Sequence, residues 1–181
     1  TMIPNASNDI GAVIKTLPGV SSVNELSSQY SVRGGNFDEN IVYVNGIEVF
    51  RPFLTRSGQQ EGLSFINSDL ISSISFSAGG FEPKYGDKMS SVLDITYRTP
   101  QEFGASLTAG LLTSSLHVED KLGNFTYLAG VRYKTNKFLL GTMETEGDYN
   151  PTFSDVQTLL NYKFSTKFNV SFLGNFSSNR Y

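Results

Sequence analysis

The chain has 181 residues, 39% of them hydrophobic, a formal net charge of −3 and no cysteine. Without cysteine there is no disulfide framework, thiolate metal site or cysteine nucleophile, and the modest apolar content is low for a self-contained core, so an incomplete module is expected. Residues 1–98 hold seven basic and ten acidic side chains and residues 99–181 seven of each, so neither half is a nucleic-acid patch.

In chain order, DIGAVIKTL (9–17) places Ile10, Val13, Ile14 and Leu17 on one helical face, with Asn8 or Asp9 as cap and Pro18-Gly19 as terminator. YSVRG (30–34) and IVYVNGIEVF (41–50) alternate, and Asn45-Gly46 predicts a two-residue hairpin turn. Residues 51–66 read as irregular; INSDLISSISFS (66–77) then predicts a short capped helical turn leading into a strand at 71–77. SAGGFEPKYGDKMSSVLDI (77–95) sets Gly79, Gly80, Pro83 and the Tyr85-Gly86 pair between two alternating runs. That composition predicts a defined turn returning the chain as a strand over about 90–97. Residues 1–98 are therefore expected to form a mixed α/β module.

After RTPQEFG no helix signal survives, and four alternating runs follow. Phe125, Tyr127, Ala129, Val131 and Tyr133 share one face; Thr126, Gly130, Arg132 and Lys134 share the other. Val156, Thr158, Leu160, Tyr162 and Phe164 oppose Gln157, Asn161 and Lys163, while Val170, Phe172, Gly174 and Phe176 oppose Asn169, Ser171, Asn175 and Ser177. Short turns at 122–124 and 165–167 alternate with a longer acidic loop at 143–151, an asymmetry of outer-membrane barrels. A soluble β-sandwich alternates as well, so alternation leaves both architectures open. No apolar run approaches the ~20 residues of a membrane helix, and the N-terminus lacks signal-peptide character, as a mature or trimmed chain would. Four or five strands cannot close a barrel, so a barrel reading requires further strands beyond Tyr181.

The two halves together resemble the start of a TonB-dependent outer-membrane transporter, a plug domain followed by the first barrel strands. YSVRGGNFDENIVYVNGIEVF is similar to the family's strand, Arg-Gly, strand and x-Asp-Gly hairpin, with Asn45-Gly46 in place of Asp-Gly. INSDLISSISFSAGGFEPKYG resembles its helix-to-strand Gly-Gly segment followed by Tyr-Gly, and SSVLDITYR the strand that leaves the plug. Ser90-Ser91-Val92-Leu93-Asp94-Ile95 replaces the usual Gly-Gly-hydrophobic-Ile-Asn-Ile exit, a variant associated with Bacteroidota-type members. The resemblance implies an α+β plug with a mixed sheet over 1–98 and the N-terminal antiparallel strands of a transmembrane β-barrel over 99–181. It further implies a bacterial outer-membrane location and active import of a scarce solute (siderophore, vitamin, oligosaccharide or peptide). The partners it implies are the TonB–ExbB–ExbD complex, outer-membrane lipid and the solute, with a surface lipoprotein lid as one more that the family allows. No TonB box is present, as expected of a truncated chain. The competing expectation is a soluble periplasmic or surface binding module with a β-sandwich second half.

Several residues are singled out. Arg33, and less strongly Arg98, are candidate plug–barrel latches by resemblance, a use suited to the bidentate guanidinium; the alternative for Arg33 is an exposed strand-end arginine. Arg51, Phe53 and Arg56, in FRPFLTRSGQQEG (50–62), are candidate solute contacts at the plug apex. Asn45, Gly46, Gly79, Gly80, Tyr85 and Gly86 are candidate turn residues. His117 is the one histidine, on the polar phase of its strand, and a lone histidine without cysteine favours neither a metal cluster nor a triad. The acidic stretch 144–148 lacks the spaced oxygen ligands of a calcium loop. RGG at 33–35 occurs once between alternating strands, unlike repeated RNA-binding tails. No phosphate-binding loop, catalytic carboxylate pair or nucleophile elbow is present, so neither an enzyme nor a cofactor is expected.

Overall fold

The computed structural model describes residues 10–22, 30–50, 64–86, 90–135 and 152–180. The chain divides into two compact units, Thr1–Tyr97 and Arg98–Tyr181.

The first unit opens with α1 (Ile10–Ile14), which buries Ile10 and Ile14. It is shorter than the nine residues the pattern predicts. Pro18 disfavours helical backbone at Leu17, and the chain tightens into i→i+3 bonds, with Thr16 N–H donating to Val13 O (3.0 Å) and Leu17 N–H to Ile14 O (3.0 Å). The Thr16 hydroxyl donates to the same Val13 carbonyl at 2.7 Å, the local competition that makes threonine a poor helix interior residue.

Strands β1 (Val20–Ser21) and β2 (Ser31–Val32) form a small antiparallel pair. A 3₁₀ turn, Phe37–Glu39, leads into β3 (Asn40–Val44), which hairpins into β4 (Ile47–Glu48). A second 3₁₀ turn, Ser68–Leu70, precedes β5 (Ile71–Ser77), and β6 (Ser91–Tyr97) follows. The four strands order as β4-β3-β6-β5, with β3 and β6 parallel and the other pairs antiparallel. This is the expected mixed sheet. Its core is Ile41, Val42, Val44, Leu70, Val92, Leu93, Ile95 and Tyr97, all buried. β-Branched residues dominate, as they do where a central strand packs on a pleated surface.

The turn chemistry follows the sequence closely. Asn45 (φ 49°) and Gly46 (φ 76°) both occupy the left-handed region, as a hairpin turn matched to strand twist requires. Asn67 caps the 3₁₀ turn, its side chain accepting from Asp69 N–H at 3.1 Å. Gly79 (φ 95°) and Gly80 (φ 67°) open the β5–β6 connection. Gly86 does not have a left-handed φ, and among the described residues nothing lies within 4 Å of a Cβ placed there.

The second unit is one antiparallel sheet of five strands in the order β11-β10-β9-β8-β7. These are β7 (Gly104–Ala109), β8 (Thr113–Leu122), β9 (Phe125–Thr135), β10 (Thr152–Lys163) and β11 (Asn169–Arg180). Each pairs with its sequence neighbour, an up-and-down meander. Beyond the four alternating runs of the sequence, the additional strand is β7, GASLTA, whose small side chains give alternation little contrast.

Candidate functional site

Alternation divides the second sheet into an apolar face and a face that carries its charged and amide side chains, and on β9 and β10 the latter is buried, together with Leu128, Phe153 and Leu159. On β9, Gly130, Arg132 and Lys134 are buried while Val131 and Tyr133 are 44% and 46% exposed. On β10, Asp155 and Gln157 are buried at 2% and 0% while Val156 is exposed. A soluble sandwich turns its apolar face inward. The reverse order is that of a sheet with apolar surroundings outside and a polar interior.

Strand register carries this pattern across the sheet. Leu107, Leu116, Val131, Val156 and Phe176 are successive cross-strand partners, all large, apolar and exposed. Near the short turns, Leu122, Phe125, Tyr162 and Val170 form a second row of cross-strand partners, all exposed but the half-buried Phe125. Phe164 and Phe168, exposed in the 165–167 turn region, stack at 5.3 Å between ring centroids. Aromatic side chains at the end of an apolar band are those a barrel places at a membrane–water boundary. Gly174 lies within the band, and a Cβ there would come 3.0 Å from the Phe172 ring. The ring covers the gap that glycine leaves in the pleat.

The buried face holds two polar clusters. In one, Arg132 Nε donates to Asp155 Oδ1 at 2.8 Å and a terminal guanidinium nitrogen donates to Oδ2 at 2.5 Å. Asn175 Nδ2 reaches the same Oδ2 at 3.4 Å. This is the bidentate fork of arginine on a carboxylate, joining facing residues of β9 and β10. In the other, His117 Nε2 lies 3.1 Å from Glu119 Oε2 and Ser106 Oγ lies 3.4 Å from His117 Nδ1. Arg98 Nε lies 3.5 Å from the same Glu119 oxygen, and an Arg98 terminal nitrogen is 3.4 Å from His117 Nε2. The histidine is thus a member of a charged network, and no group of three potential metal ligands converges among the described residues.

The residues singled out from sequence fall in different places. Arg98 lies in the second unit and ties the chain leaving β6 to β8. Arg33 is exposed in the left-handed conformation (φ 51°), its backbone N–H donating to Gly19 O at 2.8 Å. Arg51, Phe53 and Arg56 lie outside the described residues. Tyr85 is more than a turn residue: its phenol donates to Asp94 Oδ2 at 2.5 Å, and its ring packs 5.3 Å from that of Tyr43. The bond to Asp94 holds the Tyr85 phenol above its ordinary pKa. Asn45 likewise does more than turn the chain, accepting from Tyr97 N–H at 2.7 Å and donating its own N–H to Ile95 O at 2.8 Å. Asp155, Glu119 and Gln157 were not singled out. The available signal was their polar phase, but only register shows which cation each carboxylate meets.

Tyr30, 3% exposed, has its pKa pushed up to about 12, chiefly by burial, with contact to Ser91 offsetting part of the shift. The folded state therefore holds this proton more tightly than the unfolded chain. The corresponding stability is fully present below the ordinary tyrosine pKa of about 10 and is lost as pH rises toward about 12, an effect of roughly 2–3 kcal/mol. Tyr30→Phe is expected to flatten the alkaline limb of the first unit's unfolding curve between those pH values. An unchanged limb would show that another group governs it.

A mixed-sheet module followed by an apolar-out meander defines the class: a plug-type domain followed by antiparallel strands. Residues 2–92 match the family model of the TonB-dependent receptor plug domain, and the chain belongs to that family. No curated protein matches the sequence. Among solved structures it is similar to the siderophore receptor PirA from Pseudomonas aeruginosa (17% identity, TM-score 0.66), covering 98% of this chain and 33% of that one. A mutant of the ferric enterobactin receptor PfeA from Pseudomonas aeruginosa, in complex with enterobactin, matches at 17% identity and TM-score 0.65, over 97% and 31% of the respective chains. PirA from Acinetobacter baumannii matches at 16% identity and TM-score 0.65, over 99% and 30%. These likenesses establish the fold, and the chain spans about a third of the length of each structure.

Proposed function

We propose that the chain is the plug and first barrel strands of a transporter that imports a scarce solute across the bacterial outer membrane, driven by the TonB–ExbB–ExbD complex. The observation that carries this reading is the inverted sheet: the apolar row Leu107, Leu116, Val131, Val156 and Phe176 faces out, and Arg132, Asp155 and Gln157 lie on the buried side. In this reading the exposed row meets lipid, the polar face lines the lumen, and the plug gates it without chemical change to any cofactor. The plug-domain family supports the dependence on TonB.

The solved structures of similar fold are siderophore receptors, one with enterobactin bound, so a ferric catecholate is the first solute to test. The full-length protein, expressed in cells lacking their own catecholate receptors, is expected to take up iron-55-labelled ferric enterobactin only when TonB is present. TonB-independent uptake would overturn the energy coupling. No uptake of that chelate, with TonB-dependent uptake of a vitamin, oligosaccharide or peptide, would retain the transporter and replace the solute.

Arg33 and Arg98 are proposed as residues that keep the plug seated, and Arg51, Phe53 and Arg56 as solute contacts at its apex. Arg33→Ala in the whole protein is expected to raise passive leak of small solutes severalfold, measured as conductance in planar bilayers. Leak equal to wild type would remove Arg33 from that role.

A further inference from the structure

Between the turn that carries Arg33 and the start of β6 there is a close steric and hydrogen-bonded fit. Ser90 Oγ donates to Glu39 Oε2 at 2.6 Å, and Ser90 N–H donates to Glu39 O at 3.2 Å. One residue on, the Ser91 hydroxyl, fully buried, donates to Asn40 Oδ1 at 2.7 Å. Asn40 Nδ2 in turn donates to Tyr30 O at 2.8 Å. The Ser90–Glu39 and Ser91–Asn40 bonds join segments 51 residues apart in sequence at the first register pair of the parallel β3–β6 ladder, Asn40↔Ser91. Gly35 closes the fit. A Cβ at Gly35 would fall 1.8 Å from Ser90 Oγ, 2.9 Å from Ser90 Cβ and 2.7 Å from Glu39 Oε2. Gly35 does not have a left-handed φ, so space, not backbone conformation, requires glycine there.

We infer that Gly35, Glu39 and Ser90 form an interlock that fastens the Arg33-bearing turn to the strand leaving the first unit, and so holds that unit in its closed arrangement. The Ser90 hydroxymethyl group occupies the volume that any side chain at position 35 would need, and Glu39 keeps it there. Ser91 and Asn40 lie beside it as a second, buried tie. The gating half of this inference rests on the proposed reading of the first unit as a plug; the interlock itself rests on the contacts alone.

The test uses the full-length protein in detergent and in planar bilayers. Amide hydrogen exchange of the 33–44 segment is expected to speed up about fivefold in Ser90→Gly, which loses the hydrogen bond, and about twentyfold or more in Gly35→Ala, whose methyl meets Ser90. In the double variant the added methyl enters the space that Ser90 vacates, so exchange should return close to that of Ser90→Gly alone. Ser90→Ala retains the Cβ and should fail to rescue Gly35→Ala, which separates volume from hydrogen bonding. Effects of the two substitutions that simply multiply, or equal rescue by Ser90→Ala, would overturn the interlock. Ser90→Gly should also raise bilayer conductance; coupled exchange with wild-type conductance would overturn the gating role while leaving the transporter reading to the uptake experiment.

Discussion

Asp155→Ala is expected to destabilise the second unit by about 3–5 kcal/mol, because it leaves the Arg132 guanidinium buried without its carboxylate. Both partners are sequestered, with 10% and 1% of their side-chain surfaces exposed, and both carboxylate oxygens are engaged. Much of the loss is the burial cost of a charge whose carboxylate has been removed, not the intrinsic strength of the pair. The double replacement Arg132→Met with Asp155→Leu should therefore lie closer to wild type than Asp155→Ala. Asp155→Asn, which retains an acceptor oxygen, should fall between. Urea-induced unfolding of the full-length protein in detergent measures this series; an Asp155→Ala midpoint at the wild-type position would mean that water already serves Arg132.

Val131→Arg is expected to be similarly damaging for the opposite reason. Val131 sits in the centre of the exposed apolar row, with Leu116 and Val156 on either side. A cation at the midplane of a lipid-facing barrel surface costs about 2–4 kcal/mol. Val131→Leu should be tolerated, since the site is exposed and a larger apolar group meets no wall. Yield of assembled, heat-modifiable protein in the outer membrane reports both variants. Full assembly of Val131→Arg would place that face in water.

The local chemistry of the first unit was readable because each signal sits within a few residues. Asn45-Gly46 needs only its own backbone preferences to turn β3 into β4, and Asn67 needs only Asp69 two residues on. The helix was overextended because the apolar spacing of Ile10, Val13, Ile14 and Leu17 continues past the point where Pro18 and Thr16 end helical bonding. In the second unit alternation separated the faces of β9 and β10 correctly, but a period of two is the same whichever face is buried. Only the structure distinguishes the two, since Gln157 is fully buried and Phe176 is 72% exposed.

The polar clusters were less legible. Arg132 was visible on the polar phase of β9, but Asp155 is 23 residues away, and their pairing depends on a register set by a connection that sequence reasoning cannot measure. The Ser90–Glu39 contact spans 51 residues and was foreshadowed only by serine standing where the resembled pattern has glycine. Plug identity itself rested on the resemblance of three motifs, YSVRGGNFDENIVYVNGIEVF, INSDLISSISFSAGGFEPKYG and SSVLDITYR.

In the proposed reading, the apolar face of the second sheet meets lipid. Because the chain contains no cysteine, single cysteines can be placed at Val131 and Val156 on that face and at Ser115 and Ser177 on the other, then spin-labelled in the full-length protein in outer-membrane lipid. Relaxation by oxygen, which partitions into hydrocarbon, should dominate at 131 and 156, with little response to a water-soluble nickel chelate. Labels at 115 and 177 should show no such oxygen preference. Nickel accessibility at 131 and 156 equal to that of a surface loop would contradict the barrel, and with it the transporter.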